Sequence, residues 1–353
     1  MNRAQENYTV EPGQSFEIDL FRPQDAPGVA NLFRTVYGEG YPIRKFIEPE
    51  LLVEENAIGR TISSVARTPR GDIIGHSALY NSAPYTGIYE SGAGLVLPSY
   101  RATAGIFTSL VAHGLEVAAD KFEVDLVYEE SVCNHIFSQK AAANLGLVTR
   151  AIEIGLMPAE AYEEEKSATG RVAATLDFKT LRPKPQTVYL PVRYEDALRF
   201  LYDGLDDRRV LLLADKDLPS GKSTITTEFF DFARVARMAV NDAGSDFESV
   251  LKQHEVIALG KGMIVIQVWL KLSWPWVGKV VEFVRNRGYS LGGILPRWFD
   301  DDGMLMQKIM GEPNWEGIHL YTDRAKKLLE LVRADWQQAG DSLADPYGLT
   351  FSR

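Results

Sequence analysis

The sequence predicts an α/β protein (α+β in its detailed pattern) with two linked domains, each a mixed twisted sheet flanked by helices. Three observations support this prediction. Strand and helix patterns alternate along the first half of the chain. A length of 353 residues exceeds what one typical hydrophobic core accommodates. A proline-containing linker, TLRPKPQT, then precedes a new strand and helix pattern that begins at TVYLPV.

The first half has the predicted order β-α-α-β-β-β-α-β-α-β between Phe16 and Pro158. Apolar residues at helical spacing predict a helix in QDAPGVANLFRTVYG, which Gly38 ends. Short apolar or alternating runs between turn residues predict strands in FEIDLF, TISSVART, IIGHSALYNS, GIYESGAGLVLP, VDLVYEE and LVTRAIEIGLMP. The remaining helices are predicted in IEPELLVEENAIG, GIFTSLVAHGLEVAADKF and NHIFSQKAAANLG.

We place the domain boundary in the linker, which gives domains 1–182 and 183–353. A returning strand, RVAATLDF, would complete the first domain. In the second, the helix WVGKVVEFVRNRGY ends near Gly288 as AANLGL ends near Gly146, which indicates a weak internal duplication. The alternative is two unrelated α+β domains.

Composition and charge limit the partners. A net charge of −10 argues against general nucleic-acid binding, which needs a basic surface. Cys133 is the only cysteine, so no intrachain disulfide can form and a reducing compartment is expected. The N-terminal sequence has no secretory pattern, and no run reaches the roughly 18 apolar residues of a membrane span. We therefore expect a cytoplasmic protein without a membrane partner, and the absence of a His/Cys cluster predicts no metal.

The stretch LVLPSYRATAGIFTSL combines features of an anion site. An apolar run ends at Pro98, small residues follow, and an amphipathic helix pattern begins at Ile106. A helix N-terminus exposes unpaired amides with a partial positive charge, and Arg101 adds a cation beside them. The alternative is an ordinary strand–turn–helix with small residues at the turn.

The motifs LVLPSYR and GIFTSL resemble the acetyl-CoA-binding segment of the GNAT (Gcn5-related N-acetyltransferase) superfamily. In that family an apolar strand leaves through V-x-P-x-[YF]-R into a Q/R-x-x-G-x-G/A turn and a long helix. The strand and helix order of the first half is similar too. YGEGYP, SVARTPRGDIIGHSAL, NHIFSQKAAANLGL, VYLP and GGILPRWFDDDGMLMQK further resemble a bacterial group of long acetyltransferases with two linked halves.

This resemblance implies direct transfer of acetyl from acetyl-CoA to an amine of a small molecule or peptide. Backbone groups of Leu95, Val96 and Leu97 would pair with the pantetheine arm as a strand does. The pyrophosphate would lie on the turn amides, beside Arg101. Those amides belong to Ala102, Thr103, Ala104, Gly105, Ile106 and Phe107. The turn departs from the family pattern, because Ile106 or Phe107 stands where a small residue is usual.

The same resemblance implies candidates for protonating the thiolate. The family motif N-x-x-A-x-x-x-Y-x-x-x-G-F, aligned on Gly146 and Leu147, places His135 at the Asn, Ser138 at the Ala and Ala142 at the Tyr. With the tyrosine missing, Ser138 or His135 would reach the thiol, or the thiolate would leave and take a proton from water. Alternatively, His135 is a polar residue at a helix start, and Ser138 is a small residue that lets CoA pass.

Two glutamates are candidates for handling the amine. Glu90 begins the strand that leads to the turn, a place comparable to that of the general base in the histone-acetylating branch of the family. Glu129 and Glu130 follow VDLVY, and since adjacent strand residues point to opposite faces, one of them would face a cationic amine. The alternative for Glu90 is an exposed strand-end carboxylate. His76 is expected to pack or to hydrogen-bond between strands.

The second half lacks an exit of the LVLPSYR kind. Its comparable stretch, VARMAVNDAGSDFESVL, carries Asp and Asn where an anion site needs a cation and bare amides, so we expect no CoA site there. PSGKST lacks the first glycine of a P-loop and is expected to be a plain loop. This half would shape the acceptor site or a homodimer interface. Two other functions stay open: a regulatory module that binds acyl-CoA without catalysis, and an acyltransferase for longer acyl chains.

Overall fold

The computed structural model describes residues 10–39, 41, 43–101, 103, 105–162, 168–205 and 208–343. Contacts divide the chain into two compact units, Met1–Tyr128 and Glu129–Arg353. The division falls within one strand, Leu126–Val132. A domain boundary at residues 182 and 183 stays a prediction, and the two units are taken in turn.

The first unit is a mixed sheet flanked by helices. Its strands are β1 (Glu17–Leu20), β2 (Thr61–Arg67), β3 (Ile73–Tyr80), β4 (Ile88–Val96) and the start of β5 (Leu126–Val132), in that spatial order. Neighbours from β1 to β4 are antiparallel, whereas β4 and β5 are parallel. Its helices are α1 (Ala26–Tyr37), α2 (Pro49–Ala57), α3 (Ile106–His113) and α4 (Ala119–Lys121).

Helix α1 forms as its spacing predicts. Val29, Leu32 and Phe33 are fully buried on the face that packs on β3, and Gly38 ends the helix at a φ of 79°. Before the helix, both carboxylate oxygens of Asp25 accept hydrogen bonds from the buried Arg67 guanidinium, at 2.9 and 2.6 Å. This pair fastens the start of α1 to β2.

The helix predicted in GIFTSLVAHGLEVAADKF is interrupted. Gly105 adopts a φ of 90°, which favours glycine, and α3 begins at the next residue. A π-helical turn, Gly114–Ala118, separates α3 from α4. Such turns widen a helix locally.

The second unit contains a larger mixed sheet. Its strands β6 (Val148–Met157), β7 (Val172–Thr180), β10 (Thr224–Phe230), β11 (Val235–Asp242), β12 (Val265–Lys271), β13 (Ser290–Leu295) and β14 (Gly303–Ile309) lie in the order β7-β6-β13-β14-β12-β11-β10. A separate parallel pair consists of β8 (Gln186–Leu190) and β9 (Arg209–Leu213). The helices are α5 (Phe137–Asn144), α6 (Glu195–Tyr202), α7 (Phe247–Gly260), α8 (Val277–Asn286) and α9 (Asp323–Leu343).

Both units contain a parallel strand pair whose connection includes a helix. In the first unit α3 lies between β4 and β5, and in the second α7 lies between β11 and β12, which pair in parallel from Val235 to Ala239. This arrangement is what an internal duplication would produce, and the duplication itself stays a prediction.

The predicted fold class is confirmed: each unit has a mixed sheet with helices against it. The predicted strand and helix order up to Pro158 and the returning strand at RVAATLDF are also found, the latter as β7. Among the helices that the structure describes, none is both long and apolar enough to pass through a bilayer.

Candidate functional site

Strand β4 loses its parallel neighbour halfway along. The ladder between β4 and β5 consists of three residue pairs and ends where Glu90 lies opposite Tyr128. On its other edge, β4 stays paired with β3 as far as Val96, with an irregularity after Gly92. The β5-facing edge of β4 therefore opens beyond Glu90 in the direction of the turn.

The irregularity is a β-bulge centred on Ala93. Ala93 has a φ of 49°, which is uncommon for a residue with a side chain. Its carbonyl oxygen lies 2.9 Å from Nδ1 of His76, whose Nε2 lies 3.0 Å from the Ser63 hydroxyl. Burial lowers the pKa of His76 to about 4. The ring is therefore neutral at pH 7, and the expectation that His76 hydrogen-bonds between strands is confirmed.

The three residues predicted to pair with pantetheine do not all face the open edge. The Leu97 amide donates to the Ile74 carbonyl at 2.8 Å, on the β3 side. Because backbone groups alternate along a strand, Leu95 also faces β3, whereas Val96 faces away from it. Val96 is thus the residue of the three whose backbone is directed to the open edge.

A cavity lies where β4 runs into the turn and α3. Its volume is about 360 Å³. It is lined by Val36, Tyr37, Gly94, Leu95, Val96, Arg101, Thr103, Gly105, Ile106, Phe107 and Thr108. Seven of the predicted cofactor-binding residues are in this lining. Leu97 is buried outside it, and Ala102 and Ala104 lie outside the described residues.

The first turn of α3 is uncapped. Gly105 at the N-cap offers no side chain, and among the described residues none accepts a hydrogen bond from the amides of Ile106, Phe107 or Thr108. Such amides bind anions, because the helix start also carries a partial positive charge. The exposed Arg101 adds a guanidinium, whose Nε lies 3.3 Å from the Val96 carbonyl oxygen.

The sequence PSY that precedes the turn has a structural role. The buried Tyr100 donates its hydroxyl hydrogen to the Glu11 carbonyl at 2.6 Å and accepts from the Gln14 amide at 3.2 Å. These bonds hold the turn against the N-terminal segment. Tyr100 is therefore a support for the turn and not part of the cavity wall.

Phe107 narrows the path along β4. A Cβ built on Gly94 would lie 2.6 Å from Cε2 of the Phe107 ring. The ring therefore rests against the β4 backbone between the turn and the bulge, and only glycine leaves room for it. The bulky side chain that the sequence predicted in the turn, Phe107, thus lies directly against strand β4.

Glu90 is the centre of a hydroxyl network. Its Oε1 accepts from the Tyr80 hydroxyl at 2.6 Å, and its Oε2 accepts from the Ser82 and Tyr128 hydroxyls at 2.7 and 3.1 Å. The Ser82 and Tyr128 hydroxyl oxygens are also in contact with each other, so their two protons serve two of these three contacts at a time. The half-buried carboxylate is thus held at the last residue pair before the split. The alternative interpretation of Glu90, an exposed carboxylate at a strand end, therefore does not describe its environment.

A cation and aromatic rings border this network. Lys45 Nζ lies 4.5 Å from the centroid of the Tyr80 ring and 3.2 Å from the Thr61 hydroxyl. Burial lowers the pKa of Lys45, although the nearby Glu55 and Glu90 carboxylates act in the opposite direction. Phe33, Tyr37, Tyr41 and Phe46 stack or tilt against one another at centroid distances of 5.0 to 6.2 Å.

The other predicted catalytic residues belong to the second unit. Glu129 accepts a hydrogen bond from the Ser131 hydroxyl at 3.2 Å, and Glu130 accepts from Arg237 at 2.7 Å. His135 Nδ1 accepts from the Phe137 amide at 3.4 Å, as a polar residue at a helix start does. The Ser138 hydroxyl is buried and has no hydrogen-bond partner among the described residues. Burial raises the pKa of the Cys133 thiol, which keeps it protonated.

The corresponding strand–turn–helix of the second unit runs from β11 to α7. Its turn is packed against another segment of the chain, PSGKST. The Gly244 amide donates to the Ser223 hydroxyl at 2.9 Å, and the Ser245 amide donates to the Gly221 carbonyl at 3.2 Å. Asp246 in turn accepts from the Ser223 amide at 2.7 Å. A Cβ on Gly244 would lie 1.9 Å from the Gly221 oxygen. The PSGKST segment is therefore packed directly against the turn that precedes α7.

Two features of the site were not predicted from the sequence. Two of the hydroxyl donors to Glu90, Tyr80 and Tyr128, lie opposite it on the neighbouring strands β3 and β5. The only sequence signal is that each tyrosine falls in a strand pattern. The second feature is the packing of PSGKST against the turn before α7. No sequence pattern indicated it, because the contact joins segments about 20 residues apart.

The comparisons with known proteins give matches to solved structures, whereas no family model and no curated protein matches the sequence. A ribosomal-protein-S5-alanine acetyltransferase from Vibrio fischeri is 18% identical; the match covers 49% of this chain and 95% of that one, with a TM-score of 0.38. An aminoglycoside 6'-N-acetyltransferase complexed with coenzyme A is 18% identical, over 48% and 99%, with a TM-score of 0.35. A spermidine/spermine N-acetyltransferase from Vibrio cholerae is 14% identical, over 47% and 92%, with a TM-score of 0.36.

Proposed function

We propose that the chain is an acetyl-CoA-dependent N-acyltransferase whose first unit holds the cosubstrate along β4 and on the α3 turn. The observation that carries the proposal is the difference between two similar turns. The first turn has uncapped helix amides, a cation and a cavity of about 360 Å³. The turn before α7 has a carboxylate, Asp246, at its N-cap, and its Gly244 and Ser245 amides donate to the Ser223 hydroxyl and the Gly221 carbonyl.

Each part of the cosubstrate has a counterpart in the first unit. The pyrophosphate would lie on the amides of Ile106 and Phe107, beside the Arg101 guanidinium. The pantetheine amides would pair with the backbone of Val96 on the open edge of β4. The thioester would then lie near the bulge at Ala93.

The reaction would be a direct transfer. The neutral amine nitrogen attacks the thioester carbon, the carbon–sulfur bond breaks, and CoA leaves as the thiolate. The ammonium proton passes to Glu90, directly or through the hydroxyls of Tyr80 and Ser82, and the thiolate takes a proton from water. The acidic chain, with a net charge of −10, attracts a cationic amine from solution.

Calorimetric titration with acetyl-CoA tests the binding part. We expect one bound molecule per chain and about tenfold weaker binding for Arg101→Ala, which corresponds to about 1.4 kcal/mol. Lys222→Ala is the matched control, because it removes an exposed cation from the segment that packs against the turn before α7. Absence of binding refutes the proposal, and equal weakening by both substitutions refutes the assignment to the α3 turn.

Thiol release tests the transfer part. Acetyl-CoA is offered with spermidine, an aminoglycoside and a peptide with an N-terminal alanine, and octanoyl-CoA is offered in a parallel series. We expect release that depends on at least one amine, at its highest with acetyl-CoA. Preference for octanoyl-CoA would make the chain a transferase of longer acyl groups.

A specific observation favours one second candidate, an acyl-CoA-binding module without catalysis. Ala142, which is 1% exposed on α5, stands where the family motif has its proton-donating tyrosine. In this case acetyl-CoA would bind with the same stoichiometry, and Arg101→Ala would still weaken it. No amine would release thiol.

A further inference from the structure

The second unit contains a smaller cavity of its own. Its volume is about 140 Å³, and it is bounded by the end of α5, the start of β6, β7 and the start of α9. Because a water molecule takes up about 30 Å³ in the liquid, the cavity admits a molecule of about five or six non-hydrogen atoms. All of its described lining residues belong to the second unit, and the proposed acetyl transfer uses none of them.

A buried carboxylate, that of Asp177, belongs to the lining. Its Oδ1 accepts from the Thr149 hydroxyl at 2.5 Å, and its Oδ2 accepts from the Thr175 hydroxyl at 2.8 Å. Asp177 is 4% exposed, and burial raises the pKa of its carboxyl group. Among the described residues no cation forms an ion pair with it. Since buried charges in proteins are normally paired, this carboxylate offers a place for a positively charged group.

The start of α9 contributes the opposite charge to the same lining. The Arg324 guanidinium donates to the Phe200 and Asp203 carbonyls, each at 2.9 Å, which holds it in place. The Asp203 carboxylate, 3.6 Å away, is exposed. Thr322 also lines the cavity and accepts from the Ala325 amide at 3.1 Å in the first turn of α9. Because a helix start carries a partial positive charge, it adds to the attraction of the guanidinium for an anion.

The rest of the lining is small, apolar and fixed. Ala143, Leu147 and Val148 contribute hydrocarbon groups. The buried Gln139 is bonded to the segment before α9, because its Nε2 donates to the His319 carbonyl at 2.8 Å and its Oε1 accepts from the Tyr321 amide at 3.0 Å. These bonds connect α5 to the segment before α9. The walls of the cavity are therefore held together by the chain itself.

We propose that this cavity binds a small zwitterionic amino acid of the size of glycine or alanine. The ammonium group of the ligand donates to the Asp177 carboxylate and to the Thr149 hydroxyl oxygen, and its carboxylate accepts from the Arg324 guanidinium. Its methylene or methyl group contacts Ala143 and Leu147. A metal ion fits less well, because Asp177 is the one carboxylate among the described lining residues and the Arg324 cation repels it.

Calorimetric titration of the full chain without acetyl-CoA tests the ligand class. We expect L-alanine to bind with one molecule per chain and a Kd of about 1 mM or lower. Propionate lacks the ammonium group and ethylamine lacks the carboxylate, so each should bind at least tenfold more weakly. L-Phenylalanine exceeds the volume and should not bind. No binding of glycine or alanine at about 10 mM, or binding of propionate or ethylamine as tight as that of alanine, would overturn the proposal.

Filling the cavity tests the location without changing a charged group. Ala143→Leu should abolish alanine binding, because the added carbons take up space that the ligand needs. Ala141→Leu is the matched control, since it lies two residues earlier on α5 and therefore about 200° around the helix. Urea unfolding verifies that both variants are folded. Undiminished alanine binding in Ala143→Leu would show that the ligand is held elsewhere.

The selectivity of two further variants tests the role of each charge. Asp177→Asn should lose the preference for alanine over propionate, and Arg324→Gln should lose the preference for alanine over ethylamine. A merely structural role would weaken all three ligands alike. Asp196→Asn, at an exposed carboxylate of α6, should keep both preferences. Preferences that persist in a folded Asp177→Asn or Arg324→Gln protein, or that fall together, would refute the assignment of these charges.

Discussion

The imidazole of His76 and the carbonyl of Ala93 are joined by a 2.9 Å hydrogen bond at the β-bulge of β4. The bond links the interior of the sheet to the strand that forms one wall of the cavity. Because Ala93 has a positive φ, the bulge needs such a partner to compensate for its strain. His76 is thus a positioning residue for the open edge of β4.

The stability of the chain should fall as the pH is lowered through the titration range of His76. Burial lowers the pKa of His76 to about 4 from an unfolded value of 6.5. Its contribution is therefore fully present above pH 6.5 and is lost as the pH falls toward 4. The loss should be about 3 kcal/mol. Urea unfolding between pH 7 and pH 4 measures it.

His76→Asn separates this effect from the titration of carboxylates. Asparagine can still donate to the Ala93 carbonyl but does not titrate in this range. We expect a flatter pH dependence in the variant than in the wild type. Parallel curves for the two proteins would show that His76 does not contribute in this way.

Phe107→Ala should strengthen acetyl-CoA binding. The Phe107 ring rests against Gly94, so a ligand that runs along β4 must displace it. Removing the ring should lower Kd by about tenfold, or about 1.4 kcal/mol. Calorimetric titration measures the change. Phe137→Ala, which removes a ring that is 76% exposed at the start of α5, should leave Kd unaltered. Weaker binding by Phe107→Ala would mean that the ring contacts the ligand.

The sequence predicted the strands and helices of the first half because each has a local pattern. Val29, Leu32 and Phe33 repeat at helical spacing, and this face is buried in α1. It also predicted the bulky turn at Phe107. It could not predict that Tyr80 and Tyr128 bind Glu90, since that depends on the register of three strands. Register depends on how the apolar faces and turns of neighbouring strands fit together, and the pattern of one strand alone does not determine it.

Gly244→Ala should destabilise the second unit. The new Cβ would lie 1.9 Å from the Gly221 carbonyl oxygen, and the backbone there cannot move without breaking the bond to Ser245. We expect a loss of about 2 to 3 kcal/mol in the free energy of unfolding. Gly221→Ala is the control within the same contact, because its Cβ would meet nothing within 4 Å. An unchanged urea midpoint for Gly244→Ala would contradict the close packing of this turn.

Asp302→Asn should be among the most costly single substitutions in the second unit. Asp302 is fully buried and accepts from Arg209 at 2.6 and 3.1 Å, from the Arg297 amide and from Gln186. Without the carboxylate, a buried guanidinium loses its counter-charge, at a cost of about 3 to 5 kcal/mol. Asp301→Asn changes a neighbouring carboxylate that is 42% exposed and 3.6 Å from Lys184, and it should stay within about 0.5 kcal/mol of wild type. Equal unfolding midpoints for both variants would refute this.

Glu90→Gln tests the proposed base and should lower kcat while leaving the Kd for acetyl-CoA unchanged. Glutamine keeps the shape of the side chain and can still accept from the Tyr80 hydroxyl, but it cannot take the proton of the amine. General-base catalysis typically contributes about 10² to 10⁴ in rate, so kcat should fall by at least a hundredfold. Glu50→Gln, on the exposed side of α2, is the control. Persistence of wild-type thiol release in Glu90→Gln would assign the base to another group.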